Sequence, residues 1–153
     1  MIAPPESYVA DLPLRWGDMD SYGHINNVMY LRLLEEARIV AFADWFGETA
    51  GAEDIIGRGV FLAHQEIEYR RPLVYRREPL AVHMWVTRIG GASFAIGYEM
   101  RDPEAMGGTL YALAESVLAT VDLASGTPRS LPREQRDVLR SLTGPEVGFR
   151  RRR

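Results

Sequence analysis

The sequence contains no cysteine, which excludes disulfide scaffolds, thiolate metal sites and cysteine nucleophiles. Lysine is missing too: all 18 basic residues are arginine, a uniformity that reads as base-composition bias. No apolar run approaches the roughly 18 residues of a membrane-crossing helix. The start, Met1-Ile-Ala-Pro-Pro-Glu-Ser, has neither the basic region nor the apolar stretch of a signal peptide. A soluble, cytoplasmic protein without a membrane partner is expected. The formal charge of −3 exerts no pull toward nucleic acid, so no such partner is expected either. The three histidines lack a metal-ligand spacing such as H-x-x-x-H, and no metal is expected. There is no G-x-S-x-G elbow, P-loop or dinucleotide-binding glycine pattern, which argues against serine hydrolase and nucleotide-dependent chemistry.

What is present suits one globular domain spanning 1–153. Its 46% hydrophobic and 25% charged residues are ordinary values, and a chain of this length buries a substantial core. The core is expected over about 8–142, with 143–153 as a flexible arginine-rich tail. Residues 8–16 read as a first strand, irregular or at an edge because of Pro13. A turn-rich loop follows, in which Gly23 is free to adopt positive φ. The spacing of Tyr30, Leu31, Leu34, Ala37, Ala41, Phe42 and Trp45 predicts a helix over about 26–46. Asn26 or Asn27 caps it, Gly47 ends it, and Arg32 and Glu36 form an i,i+4 pair. Strands are expected over 60–70, 79–89, 93–101 and 109–122, with a short helix near 132–142. In the first of these, Phe61, Ala63, Ile67 and Tyr69 alternate with His64, Glu66, Glu68 and Arg70. The order β-α-ββββ, with strands joined as consecutive hairpins, is an α+β class: one helix against one antiparallel sheet.

The run Arg15-Trp-Gly-Asp18-Met-Asp20-Ser-Tyr-Gly23-His24-Ile-Asn26-Asn27-Val-Met-Tyr30 carries the most information. With Glu36-Ala37-Arg38 behind it, it resembles the D-x-D-x-x-G-H-x-N-N-x-x-Y pattern of the 4-hydroxybenzoyl-CoA thioesterase-like proteins. The likeness continues through Glu66-Ile-Glu-Tyr-Arg70-Arg71-Pro72-Leu73 and Arg88-Ile-Gly-Gly-Ala-Ser93, covering about 12–122. The resemblance implies a hotdog fold, in which a curved antiparallel sheet wraps one long central helix. It also implies hydrolysis of an acyl-CoA or acyl-carrier-protein thioester to acid and thiol. Coenzyme A would then be part of the substrate, and no separate cofactor is expected. It further implies a homodimer joined edge to edge, or a homotetramer, with the active site at the subunit interface.

By the same resemblance the catalytic carboxylate is Asp20 and the oxyanion donor is the backbone amide of Asn27. Chemistry supports that placing: a carboxylate can activate water or attack the carbonyl, and free amides at a helix start face developing negative charge. Asp18 and Asp20 would also serve as turn residues, and Asp18 is read as structural. His24 either contacts the substrate carbonyl or holds the loop. Gly23, Asn26, His64, Arg70, Arg88 and Ser93 are the candidate substrate-binding residues, with arginines suited to the CoA phosphates. Two other functions stand beside hydrolysis on such a fold, an acyl-thioester hydratase or dehydratase and a non-catalytic acyl-CoA-binding module.

Overall fold

The structure is a computed structural model that describes residues 3–50 and 59–150, with backbone alone for 48–50. Strand β1 (Tyr8–Leu12) ends where Pro13 has no amide to offer the ladder. The expected strand to Trp16 is thus cut short, and Trp16–Asp18 is a 3-10 turn. Helix α1 begins at Asn27, and its regular course breaks at Gly47, whose φ of 72° is left-handed. Strands β2 (Val60–Tyr69), β3 (Leu80–Ile89), β4 (Ser93–Arg101) and β5 (Leu110–Thr120) follow, then helix α2 (Arg133–Ser141).

All five strands form one antiparallel sheet in the order β1-β3-β4-β5-β2. Two connections, β3–β4 and β4–β5, are the expected hairpins. The third is not: β2 lies on the far edge against β5 instead of pairing with β3. The stretch from Arg70 to Pro79, with Pro72 in it, is too long for a hairpin and carries the chain across the end of the sheet. One face of the sheet packs on α1 through Leu80, Val82, Met84, Phe94, Ile96, Tyr98, Met100, Ala112 and Ala114, which meet Leu33, Leu34, Ala37 and Ala41. Burying each such leucine contributes about 1.5–3 kcal/mol.

In β2 the expected alternation fails at Ala63. A bulge between Leu62 and His64 puts Val60 and Leu62 on the helix side with Gln65, Ile67 and Tyr69, and moves Phe61 to the outer set with His64. One inserted residue reverses the faces of everything before it.

The outer face of the sheet is covered by the chain's own ends. Residues 142–144 run beside β3, where Val86 accepts from the Gly144 amide at 2.8 Å and donates to Leu142 at 2.9 Å. Val147 and Phe149 then bury themselves with Ala3, Trp85 and Leu113, and the Trp85 indole donates to the Pro145 carbonyl at 2.7 Å. The backbone amide of Arg150 reaches Glu68 on β2 at 2.8 Å. The described part of the expected flexible tail is therefore a packed strap crossing the sheet from β3 to β2. Two apolar side chains among the polar ones suffice to anchor it.

The loop before α1 is tied to the helix by Asp18. Its carboxylate, 7% exposed, accepts from Arg15 at 2.9 Å and from Arg32 of α1 at 2.5 Å. Arg32 also pairs with Glu36, as expected. The Arg15 guanidinium, with Arg32 adding to it, holds the Asp18 carboxyl below the usual carboxylate range.

Two measurements check this account. Gly97→Ala places a methyl 2.8 Å from the Trp85 ring and from Val147. It should lower unfolding stability by about 1–3 kcal/mol, whereas Gly91→Ala, which meets nothing within 4 Å, should change little. Asp18→Asn should lower stability by about 1–2 kcal/mol at neutral pH, with the exposed Arg15 supplying the smaller share. A lowered folded pKa means that the carboxylate's contribution is complete above its unfolded value, about 3.9, and is lost as pH falls through the folded value. Urea titrations of the two proteins should thus converge below about pH 4.

Candidate active site

The loop from Asp20 to Asn26 is a small self-bonded structure. The Asp20 amide donates to the His24 carbonyl at 2.9 Å, and the Gly23 amide returns a bond to the Asp20 carbonyl at 3.0 Å. That tight turn needs Gly23 at φ 74°, a conformation that costs glycine nothing. Main-chain bonds from Asn26 to the Asp18 carbonyl at 2.9 Å and from Ile25 to the Leu73 carbonyl at 2.7 Å fasten the loop on both sides.

Asp20 uses one carboxylate oxygen locally, accepting the Tyr22 amide at 2.9 Å. Its other oxygen faces the Asn26 side-chain amide at 3.5 Å. Asn26 in turn caps α1, its Oδ1 accepting from the Val28 amide at 3.0 Å while its carbonyl accepts from Met29 at 2.9 Å. The first turn of a helix leaves amides without intrahelical partners. Here the cap takes those of Val28 and Met29, and the amide of Asn27 donates to no described residue.

Asp20, His24 and Asn27 open onto one cleft of about 580 Å³, lined also by Tyr22, Ile25, Tyr30, Tyr69, Arg70, Arg71 and Pro72. Tyr30 and Tyr69 meet edge to face, 5.1 Å between centroids. The Tyr30 hydroxyl accepts from the Leu73 amide at 3.2 Å, and the Tyr69 hydroxyl donates to the Asn27 carbonyl at 3.2 Å. Burial raises both phenol pKa values, so both stay protonated donors at neutral pH. The cleft thus sets a carboxylate and an unengaged helix-start amide against aromatic walls, a combination suited to polarising and attacking a carbonyl.

Of the residues singled out from sequence, Asp20, His24, Asn27 and Arg70 line this cleft, and Gly23 and Asn26 shape the loop beside it. His64, Arg88 and Ser93 do not line it within one chain. Ser93 pairs with Ala119 and Arg88 with Ala95, at the β3–β4 turn, while Arg70 bonds to Tyr111 at the start of β5. Eight residues along β5 separate the two levels, roughly 27 Å. His64 sits on the outward side of β2, opposite Val117. Arg71, like Arg70, was among the arginines expected to line a CoA groove; Tyr22, Ile25, Tyr30, Tyr69 and Pro72 were not singled out as site residues. Tyr30 and Tyr69 had registered as apolar positions in the helix and strand periodicities and as members of the family-like runs, without a role; their hydroxyl ends acquire a place only when α1 lies against β2. Among the described residues no group of three or more His, Asp or Glu is arranged to hold a metal ion, and no helix is long and apolar enough to cross a membrane.

Solved structures similar to this chain share its fold. A thioesterase from Thermus thermophilus, complexed with coenzyme A and zinc, is 25% identical with a TM-score of 0.72, over 88% of this chain and 92% of that one. The PA5185 protein of Pseudomonas aeruginosa PAO1 is also 25% identical, with a TM-score of 0.74 over 90% and 92%. A thioesterase-superfamily protein from Jannaschia sp. CCS1 has a TM-score of 0.81 over 92% and 96% at 17% identity, which shows the shared hotdog fold. No curated protein matches the chain. The sequence pattern that defines the thioesterase-like superfamily matches residues 14–139, most of the chain, and the chain belongs to that superfamily.

Proposed function

We propose that the protein hydrolyses an acyl-CoA thioester, with Asp20 as the carboxylate and the Asn27 amide as the oxyanion donor. The observation that carries this is that Asp20 and Asn27 line one cleft, with the Asn27 amide left unengaged by the cap. The thioester carbonyl lies between them. Asp20 either takes a proton from water as the water attacks, or attacks directly to form a mixed anhydride. In both routes the carbonyl oxygen gains negative charge against the Asn27 N–H, the C–S bond breaks and the thiolate takes up a proton; in the second, water then hydrolyses the anhydride to the free acid and restores the Asp20 carboxylate. His24 contacts the substrate from the same turn, and Arg70 stands at the mouth. The coenzyme A bound to the Thermus thermophilus thioesterase supports this substrate class.

The working unit is a homodimer. Strand β2 has β5 on one side and no described partner on the other, and an unpaired edge templates association. Phe61 and Leu62 on that edge are 54% and 46% exposed, and Ile39 of α1, which borders the same cavity as Leu62, is 53% exposed. Antiparallel joining of two β2 edges extends the sheet through both chains. It also sets the Arg88 and Ser93 end of one chain beside the Asp20 cleft of the other, where His64 too lies near the junction.

A thiol-release assay over an acyl-CoA panel tests the chemistry. Asp20→Ala should lower kcat by about 10²–10⁴-fold with binding retained. An enoyl-thioester absorbance change without thiol release, or binding without turnover, would replace hydrolysis by hydration or by simple binding. Single turnover in ¹⁸O-water separates the two routes, since only the anhydride route puts label into the protein. Leu62→Glu should give a monomer by sedimentation velocity and abolish thiol release.

A further inference from the structure

Another cavity, of about 330 Å³, lies further along α1. Glu35, Arg38, Ile39 and Phe42 line it from the helix, and Val60, Leu62 and Leu118 from the sheet. Its walls are apolar except at Glu35 and Arg38. The Asp20 cleft occupies the same seam between α1 and β2, taking Asn27 and Tyr30 from the helix and Tyr69 from the strand. Leu31, Glu35, Arg38 and Phe42 recur at four-, three- and four-residue steps, so one stripe of α1 runs from the cleft to the further cavity.

Arg38 is the unusual wall of this cavity. It is only 6% exposed, yet its guanidinium meets neutral groups: Nη1 donates to the Tyr98 hydroxyl and to Ser116 Oγ, both at 3.3 Å. Burial raises the Tyr98 pKa, so that hydroxyl is a neutral phenol and no counter-ion. Gln65 of β2 donates to the same Ser116 oxygen at 3.1 Å. Among the described residues no carboxylate lies within ion-pair distance of Arg38. Glu36 is held by Arg32. Glu99 and Glu115 belong to the outer side of the sheet, since their neighbours Tyr98 and Ser116 face the helix. Glu35 is exposed to solvent at the rim. A cation withdrawn from water without a counter-ion is strongly disfavoured, and the cavity beside it has room for one.

We infer that the acyl group of the substrate carries a carboxylate at its far end, and that Arg38 is the residue that selects it. The inference rests on the thioesterase function proposed above. Distances along the seam fit a chain of medium length. The Tyr69 hydroxyl meets the Asn27 carbonyl, and Gln65, which shares Ser116 with Arg38, lies four residues back along β2, roughly 13 Å. Along α1, Arg38 stands eleven residues beyond Asn27, roughly 16 Å, and its side chain leans back toward the helix start. An acyl chain of about eight carbons with a hydrogen bond at its end spans that gap. Phe42, Leu62 and Leu118 suit its methylenes, and the guanidinium fork suits two carboxylate oxygens. A second copy joined at the β2 edge closes the open side of the seam, at Ile39 and Leu62.

Matched substrates test the selection. Wild-type kcat/KM for suberyl-CoA should exceed that for octanoyl-CoA about tenfold or more. Arg38→Met, a neutral chain of similar length, should remove that preference, and Arg38→Lys, which keeps the charge without the fork, should retain part of it. Calorimetry supplies a readout without turnover: octanoate should bind the wild-type protein about tenfold tighter than octanamide, and Arg38→Met should erase the difference. Arg38-dependent octanoate binding by a protein that hydrolyses no thioester would uphold the carboxylate site while removing the hydrolase function. Equal hydrolysis of both thioesters by the wild type, or faster hydrolysis of ω-hydroxyoctanoyl-CoA than of suberyl-CoA, would overturn the carboxylate site and leave the hydrolase standing. Equal hydrolysis together with dissociation of Arg38→Met into monomers would assign the guanidinium to a carboxylate of a second copy, and would overturn the inference in the same way.

Discussion

A helix that starts against a sheet exposes amides that have no partner within the helix, and the way this chain disposes of them determines the rest of the site. Asn26 takes the amide of Val28 with its side chain and that of Met29 with its carbonyl. The Asn27 amide is left over, and Asn27 is one of the residues that line the cleft. The same Asn26 side chain reaches toward Asp20, so the residue that caps the helix also sets the carboxylate beside it. Just upstream, Asp18 is clamped by Arg15 and Arg32. The two aspartates of the D-x-D pair thus divide their labour by environment. One is enclosed by two guanidiniums and holds the loop to α1; the other lines the cleft.

The second organising constraint is the covering of the sheet. Its inner face is filled by α1, as an antiparallel sheet with one apolar side requires. Its outer face is apolar enough at Trp85 and Leu113 to need covering too, and the chain's own ends do this, with Val147, Phe149 and Ala3. Gly97 and Gly144 let the strap and the indole approach, since a Cβ at either would come within 3 Å of the Trp85 ring. With both faces occupied, exposed apolar side chains remain at the β2 edge, Phe61 and Leu62, and on the neighbouring side of α1, Ile39. The strap also brings Arg150 to Glu68 on β2, so a packing device on one face adds a charge at the far edge of the sheet.

Much was legible in the amino-acid order. The long helix, its asparagine start and its Gly47 stop follow from a three- and four-residue apolar rhythm with the right punctuation. The strands of residues 80–89, 93–101 and 110–120 follow from their alternation and the glycine pairs between them. Asp20, Gly23, His24, Asn26 and Asn27 stood out because their chemistry is packed into eight residues, where local bonding alone can organise it. The match to the thioesterase-like superfamily spans residues 14–139, that motif included.

Tertiary structure alone decided three things, each because the information is non-local. The bulge at Ala63 reversed the faces of β2, and nothing in a period-two pattern marks where one extra residue will be accommodated; pairing with β5 does. The crossing of β2 to the far edge separated Arg88 and Ser93 from the cleft by most of a strand length, a distance that sequence proximity to a motif does not encode. Val147 and Phe149 looked like isolated apolar residues in an arginine-rich tail, and became an anchored strap only because Trp85 and Leu113 present a matching surface more than thirty residues away. Short-range order determined the elements and the Asp20–Asn26 loop; contacts across the sheet determined which side chains face that loop.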